Sequence, residues 1–87
     1  MSNKRSLKRT INLICEELLA ECIAASLYGP NRESAASLIH STLKLRQDFI
    51  SRVSHPEPGM PAKKYFSVLR ENFVSQAGEI IDQINHH

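Results

Sequence analysis

Three segments of similar length carry apolar residues at intervals of three and four positions. This spacing places side chains on one face of a helix, whereas a strand would alternate every second residue. The three apolar stripes are Leu7, Ile11, Ile14, Leu18, Cys22 and Ala25; Ala35, Ile39, Leu43, Ile50 and Val53; and Phe66, Leu69, Phe73, Ala77, Ile80 and Ile84. From these stripes the predicted core includes Ile11, Leu18, Ile39, Ile50, Leu69, Phe73 and Ile80. The pattern predicts an all-α protein.

Proline and glycine residues set the bounds of three predicted helices, at about 6–27, 31–53 and 62–85. Gly29 and Pro30 end the first helix, because glycine accepts a left-handed exit and proline cannot continue the hydrogen-bond ladder. Asn31 is a suitable cap for the second helix.

The segment 55–61 contains three prolines, which exclude a regular helix and favour a stiff connector. A proline-rich ligand for an aromatic groove is the alternative interpretation. Short connections make consecutive helices antiparallel. The 87 residues therefore predict a single helical domain, 1–87, folded as an up-down-up antiparallel three-helix bundle, with association into a larger helical assembly as an extension of that fold.

The two cysteines favour a reducing compartment. Cys15 and Cys22 are seven residues apart on one predicted helix, which separates them by roughly 10 Å and excludes a disulfide between them. We interpret both as small apolar side chains buried in the core of a protein from a reducing compartment. A metal site would need further ligands that the sequence does not place nearby. We therefore expect no bound metal.

The N-terminal region superficially resembles a signal peptide, because basic residues precede the apolar run 11–19. Glu16, Glu17 and Glu21 interrupt the apolar segment, and no run approaches the ~20 apolar residues of a membrane span. We therefore expect a cytoplasmic protein with no membrane association.

Charged residues separate towards opposite ends of the predicted bundle, although the net charge is only +2. One end, here called the basic pole, collects Lys4, Arg5, Lys8, Arg9, Arg52, Lys63 and Lys64, against Asp48 and Glu57. The far end, here called the acidic end, carries Glu21, Glu33, Glu79 and Asp82, against Arg32. Cations near helix N-termini are unfavourable by about 0.3 to 1 kcal/mol each. The basic pole therefore suggests binding of a polyanion such as nucleic acid, and a solvated face screened by salt is the alternative.

The first helix carries a second apolar line on the face opposite its stripe. This line, here called the seam, consists of Leu13, Ala20, Ile23, Ala24 and Leu27. A helix of a three-helix monomer needs only one buried face, and the two alanines permit close approach of another helix. The seam predicts self-association, and scattered exposed apolar residues of the kind found on monomers are the alternative.

Arg46 lies in the second stripe, between Leu43 and Ile50. A charge at that position must extend to solvent or find an anion. The antiparallel register puts it level with Glu17 and Glu71, so we expect an ion pair or simple extension to solvent. A ligand-binding arginine is the alternative.

Catalytic patterns are lacking in the sequence. His40 and His55 lie on different predicted elements, and the three glycines are isolated, so there is no phosphate-binding loop. A bundle this small is also expected to lack a ligand cavity of about 300 Å³ or more. We expect no enzyme activity, no cofactor and no small-molecule substrate, and we assign no chemistry to His86 and His87.

The preferred interpretation is a non-catalytic helical module that self-associates through its first helix or binds a protein partner. The alternative is a nucleic-acid-binding or polyanion-binding protein that uses the basic pole.

Overall fold

The computed structural model describes residues 4–85 and consists of three helices. They are α1 (Lys4–Tyr28), α2 (Arg32–Ser54) and α3 (Ala62–Asn85), and residues 4–85 contain no strand. Each helix packs against the other two, which confirms the predicted all-α three-helix bundle. The predicted domain 1–87 extends past the described residues at both ends, and His86 and His87 lie outside them.

The helix ends follow the local sequence signals. Asn31 caps α2, because its side-chain oxygen accepts a hydrogen bond of 3.2 Å from the Ser34 N–H. The proline-rich connector 55–61 lies between α2 and α3 as predicted, and contains a turn in which the Met60 N–H donates to the Glu57 carbonyl at 3.3 Å. The observed bounds differ from the predicted ones by no more than about two residues, which is the ordinary uncertainty of a helix end.

Gly29 ends α1 for a different reason from the one expected. No described residue has a positive φ, so the prediction of a left-handed exit is wrong. The Gly29 N–H still donates to the Ala25 carbonyl at 2.9 Å, and a Cβ at position 29 would lie 2.5 Å from that carbonyl oxygen. Lack of space, not a left-handed conformation, explains the glycine.

The core runs the length of an elongated bundle that measures 46 × 19 × 18 Å. The stripes of α1 and α3 face inward as predicted, with Ile14, Ala25 and Ile84 half-buried at their edges. The residues that line the interior are Leu7, Ile11, Cys15, Leu18 and Cys22 from α1; Ala35, Leu38, Thr42, Leu45, Phe49 and Val53 from α2; and Phe66, Leu69, Phe73, Ala77 and Ile80 from α3.

The stripe predicted on α2 is rotated relative to the observed core. Ile39 and Ile50 are only half-buried, and Leu43 is 46% exposed. The face that contains Phe49 is buried instead, and Thr42 completes it. The Thr42 hydroxyl donates to the Leu38 carbonyl at 2.8 Å, so the polar group is satisfied within its own helix and can be buried at little cost.

Candidate interaction surfaces

Most of the basic pole lies at one end of the bundle, where the first turns of α1 and α3 lie beside the last turn of α2. Lys4, Arg5 and Arg9 are exposed on α1, and Lys8 is half-buried. Lys63 and Lys64 are exposed at the start of α3. These cations therefore form a solvent-facing surface.

Arg52 differs from the other cations of the pole because its charge is already paired. Its guanidinium makes two contacts of 3.2 Å with the Asp48 carboxylate and lies 5.0 Å from the centre of the Phe49 ring. The Tyr65 hydroxyl also donates to the Arg52 carbonyl at 2.9 Å. Within residues 4–85 this is the only ion pair, so the other six cations of the pole have no carboxylate partner. Arg52 therefore belongs to the α2–α3 contact more than to a free binding surface.

The seam on α1 faces away from the core. Leu13, Ile23 and Leu27 are 56%, 47% and 59% exposed, and Ala20 and Ala24 are also exposed. These values place the predicted seam outside the core of the single chain. Water therefore contacts a line of large and small apolar side chains along the outer side of α1.

An apolar groove of about 390 Å³ adjoins the seam between α1 and α3. Its apolar lining consists of Leu13, Ile14, Leu18, Ile81 and Ile84, and its polar rim of Glu17, Glu21 and Asn85. Leu13 belongs to both the seam and the groove, so the exposed apolar surface continues from α1 onto α3.

The contribution of α3 to this surface was not predicted. Ile80 and Ile81 are neighbours in the sequence, and successive residues on a helix point about 100° apart. When Ile80 enters the core, Ile81 must therefore lie at its edge, where it is 45% exposed. The adjacent isoleucines are the signal that could have located the groove.

A second groove, of about 760 Å³, separates α2 from α3 and is lined mainly by polar side chains. These include Ser41, Lys44, Gln76, Glu79 and Gln83. The expectation that no cleft above about 300 Å³ would form is therefore wrong. A third groove, of about 520 Å³, lies between α1 and α2 beside Asn12 and Arg46. All three spaces are grooves along helix boundaries at the surface, and none brings together groups with an evident catalytic arrangement.

Arg46 extends to solvent instead of forming the ion pair considered above. Its Nε donates to the side-chain oxygen of Asn12 at 3.1 Å, and no carboxylate of the described chain pairs with it. Of the two expected arrangements, extension to solvent is the one observed, and the ion pair with Glu17 or Glu71 does not form because α2 is rotated. This rotation turns the Arg46 side chain towards Asn12 at the outer α1–α2 boundary.

Both cysteines are free thiols buried in the core, as predicted. Burial raises the pKa of the Cys15 thiol, and the positive charge of Arg46 offsets part of this effect. Burial also raises the pKa of the Cys22 thiol, whose sulfur lies 3.9 Å from the Thr42 hydroxyl. Within residues 4–85, no three His, Cys, Asp or Glu side chains are grouped closely enough to hold a metal ion. The thiol environment therefore suppresses the reactive thiolate.

Comparison with known proteins gives no relative from which a function could be transferred. No protein-family model matches the chain, and no match was found among curated proteins or solved structures. Among the described helices, none combines the length and the apolar character needed to cross a membrane. A functional proposal therefore depends on the surfaces of this chain alone.

Proposed function

We propose that this protein is a non-catalytic helical module that self-associates through the seam on α1. The observation that carries the proposal is the exposure of Leu13, Ile23 and Leu27, each about half accessible to water on the side of α1 opposite the core. Removal of apolar surface from water stabilises an assembly by roughly 25 cal/mol per Å². Contact between two copies would shield these side chains without any change in the fold.

The dimensions of the molecule suit a second copy packed lengthwise. The bundle is 46 Å long and 19 Å wide, so a second copy packed lengthwise can contact the whole length of the seam. The apolar groove between α1 and α3 widens the contact beyond the seam, because Ile81 and Ile84 lie beside Leu13. A second copy is therefore favoured over a small ligand as the occupant of this face.

The proposal places the module in the cytoplasm and assigns it no catalytic role, cofactor or small-molecule substrate. Free buried thiols support a reducing compartment, in which cysteines persist without pairing. His40 lies within α2, and His55 directly follows the end of that helix. Both side chains are exposed. A protein partner in place of a second copy is an outcome of the test below.

Light scattering across micromolar concentrations tests self-association. The wild type should show a mass of two chains or more, and Ile23→Glu should reduce it to one chain. Val68→Glu is the matched control, because Val68 is a β-branched residue 40% exposed on α3, outside the seam and the groove. Circular dichroism should show that both variants remain helical. A wild type that stays monomeric at high concentration would remove the proposal and leave a protein partner as the occupant of the seam.

A second function, polyanion binding at the basic pole, is supported by a separate observation. Six cations at this end have no carboxylate partner within residues 4–85, and the first turns of α1 and α3, where they lie, are at the same end. Each phosphate that such a surface neutralises releases condensed counterions. The resulting affinity would be sensitive to salt and largely independent of sequence.

Titration of duplex and single-stranded DNA and RNA at about 50 and about 200 mM salt tests polyanion binding. Changing Lys8 and Arg9 together to alanine should weaken binding across sequences and reduce the salt slope. Changing Lys44 and Arg70 together to alanine removes the same charge from exposed positions outside the pole, so it should have little effect. Absence of binding at the lower salt would eliminate this function. Sequence-specific binding at the higher salt would instead indicate recognition of bases.

A further inference from the structure

We infer that two copies of this chain associate in an antiparallel arrangement, with a twofold axis beside Ala20 of α1. The inference rests on the proposed self-association and specifies how the second copy is oriented. Leu13 and Leu27 are each seven residues from Ala20, which is about two turns and keeps all three on one side of the helix. An antiparallel second copy therefore places Leu13 of each chain beside Leu27 of the other.

The side chains at the proposed axis permit a close helix crossing. Ala20 and Ala24 are exposed and have no atoms beyond Cβ, whereas Leu13 and Leu27 project further on either side. Helix axes can approach to about 8 Å when small side chains lie at the contact. The two leucine pairs would then cover the contact on both sides of the alanines.

The charge distribution favours the antiparallel orientation over the parallel one. A parallel pair would bring the two basic poles side by side. Like charges in such positions repel one another. A symmetric parallel contact would therefore oppose the apolar attraction along the seam.

The antiparallel arrangement instead directs the basic pole of each copy towards the acidic end of the other. Residues 4–9 lie 11 to 16 positions before Ala20, whereas α1 ends at Tyr28, eight positions after it, so residues 4–9 reach past the end of α1 of the second copy. Glu33 lies at that end, in the first turn of α2, and is exposed.

The groove between α1 and α3 extends the same contact. Leu27 of the second copy would lie beside Leu13, at the edge of the apolar surface formed by Ile14, Leu18 and Ile81. The antiparallel arrangement therefore uses the seam and the groove together, whereas a parallel copy would place its own Leu13 at that edge.

Chemical cross-linking distinguishes the two orientations. Ala20→Cys, Leu13→Cys and Leu27→Cys are prepared as single variants and treated with a short bis-maleimide. The native Cys15 and Cys22 are kept, because both are buried, and the wild type serves as the background control. In the antiparallel dimer, Ala20→Cys should cross-link to itself. Leu13→Cys should not, because its two copies lie about 21 Å apart along the helix, but a mixture of Leu13→Cys and Leu27→Cys should.

Each outcome separates the orientation from self-association itself. Cross-linking of Leu13→Cys or Leu27→Cys to itself would overturn the antiparallel arrangement and leave the dimer intact. A dimer by light scattering in which no variant cross-links would also overturn it, because α1 would then lie outside the interface. A monomeric wild type would overturn the proposed function, and this inference with it.

A salt titration of the wild type gives a second measurement that needs no substitution. Screening of opposite charges weakens an antiparallel dimer, so its dissociation constant should rise between about 50 and about 200 mM salt. Screening of like charges strengthens a parallel dimer. A dissociation constant that falls over this range would therefore contradict the antiparallel arrangement, even if the cysteine variants failed to dimerise.

Discussion

The α1–α2 pair and α3 are held in the bundle in different ways. α1 and α2 contact each other more extensively than either contacts α3. Small buried side chains allow this close approach, and the sulfur of Cys22 lies 3.9 Å from the Thr42 hydroxyl. In contrast, α3 packs through larger residues, and the Phe73 ring meets the Phe49 ring edge-on with centres 5.4 Å apart.

The difference shows where the stability of this bundle is concentrated. Between α1 and α2 it is distributed over many small contacts, so no single side chain dominates. α3 depends on a few large side chains, chiefly Phe66 and Phe73. We therefore expect α3 to separate first when the protein opens locally, which faster hydrogen exchange in α3 than in α1 and α2 would show.

The largest expected effect comes from removing the main aromatic contact of α3. Phe73→Ala should lower the free energy of unfolding by about 3 to 5 kcal/mol, because the ring is almost completely buried and its loss leaves a cavity. Denaturant unfolding followed by circular dichroism measures the change. The neighbouring Val74→Ala is the control and should have a small effect, since Val74 is 55% exposed. A cost below about 1 kcal/mol for Phe73→Ala would contradict the described burial.

A smaller effect is expected in the α1–α2 contact. Cys22→Ala removes a single buried sulfur atom, so it should lower the free energy of unfolding by about 1 kcal/mol. The same denaturant measurement applies. A cost as large as that of Phe73→Ala would contradict this comparison. It would show that the α1–α2 contact also depends on a single side chain.

The helix bounds and two of the three buried faces could be predicted from the sequence. Prolines and glycines mark the connections, and the apolar spacing of α1 and α3 admits one dominant face. On α2, two overlapping apolar lines compete. The choice between them depended on burying Thr42, whose hydroxyl is satisfied only once the helix forms, and on packing Phe49 against Phe73.

The candidate surfaces were predictable to different degrees. Exposure of the seam follows from the face of α1 opposite its core stripe, so Leu13 and Leu27 could be located from spacing alone. The groove between α1 and α3 and the Asn12–Arg46 contact depend on how far one helix is rotated against another. Helical spacing within one segment carries no information about that rotation.

Gly78 lowers the intrinsic stability of α3 as a helix. It lies inside α3, and an added Cβ would meet no atom within 4 Å. Gly78→Ala should therefore raise the free energy of unfolding by about 0.5 to 1 kcal/mol, because alanine restricts the unfolded chain more than glycine does. Thermal unfolding would detect the gain. Gly29→Ala is the contrasting variant and should be destabilising, because its Cβ would lie 2.5 Å from the Ala25 carbonyl oxygen.

The smallest expected effect concerns a hydrogen bond that joins the start of α3 to the end of α2. Tyr65→Phe removes the hydroxyl that donates to the Arg52 carbonyl at 2.9 Å and leaves the ring beside Phe66. Because the hydrogen bond is exposed, water can replace it, and the cost should be about 0.5 kcal/mol, at the lower end for such bonds. Hydrogen exchange should nevertheless become faster in the first turns of α3 while remaining unchanged in α1. Equal acceleration in all three helices would mean that α3 does not open separately, and the contrast between α3 and the α1–α2 pair would then be lost.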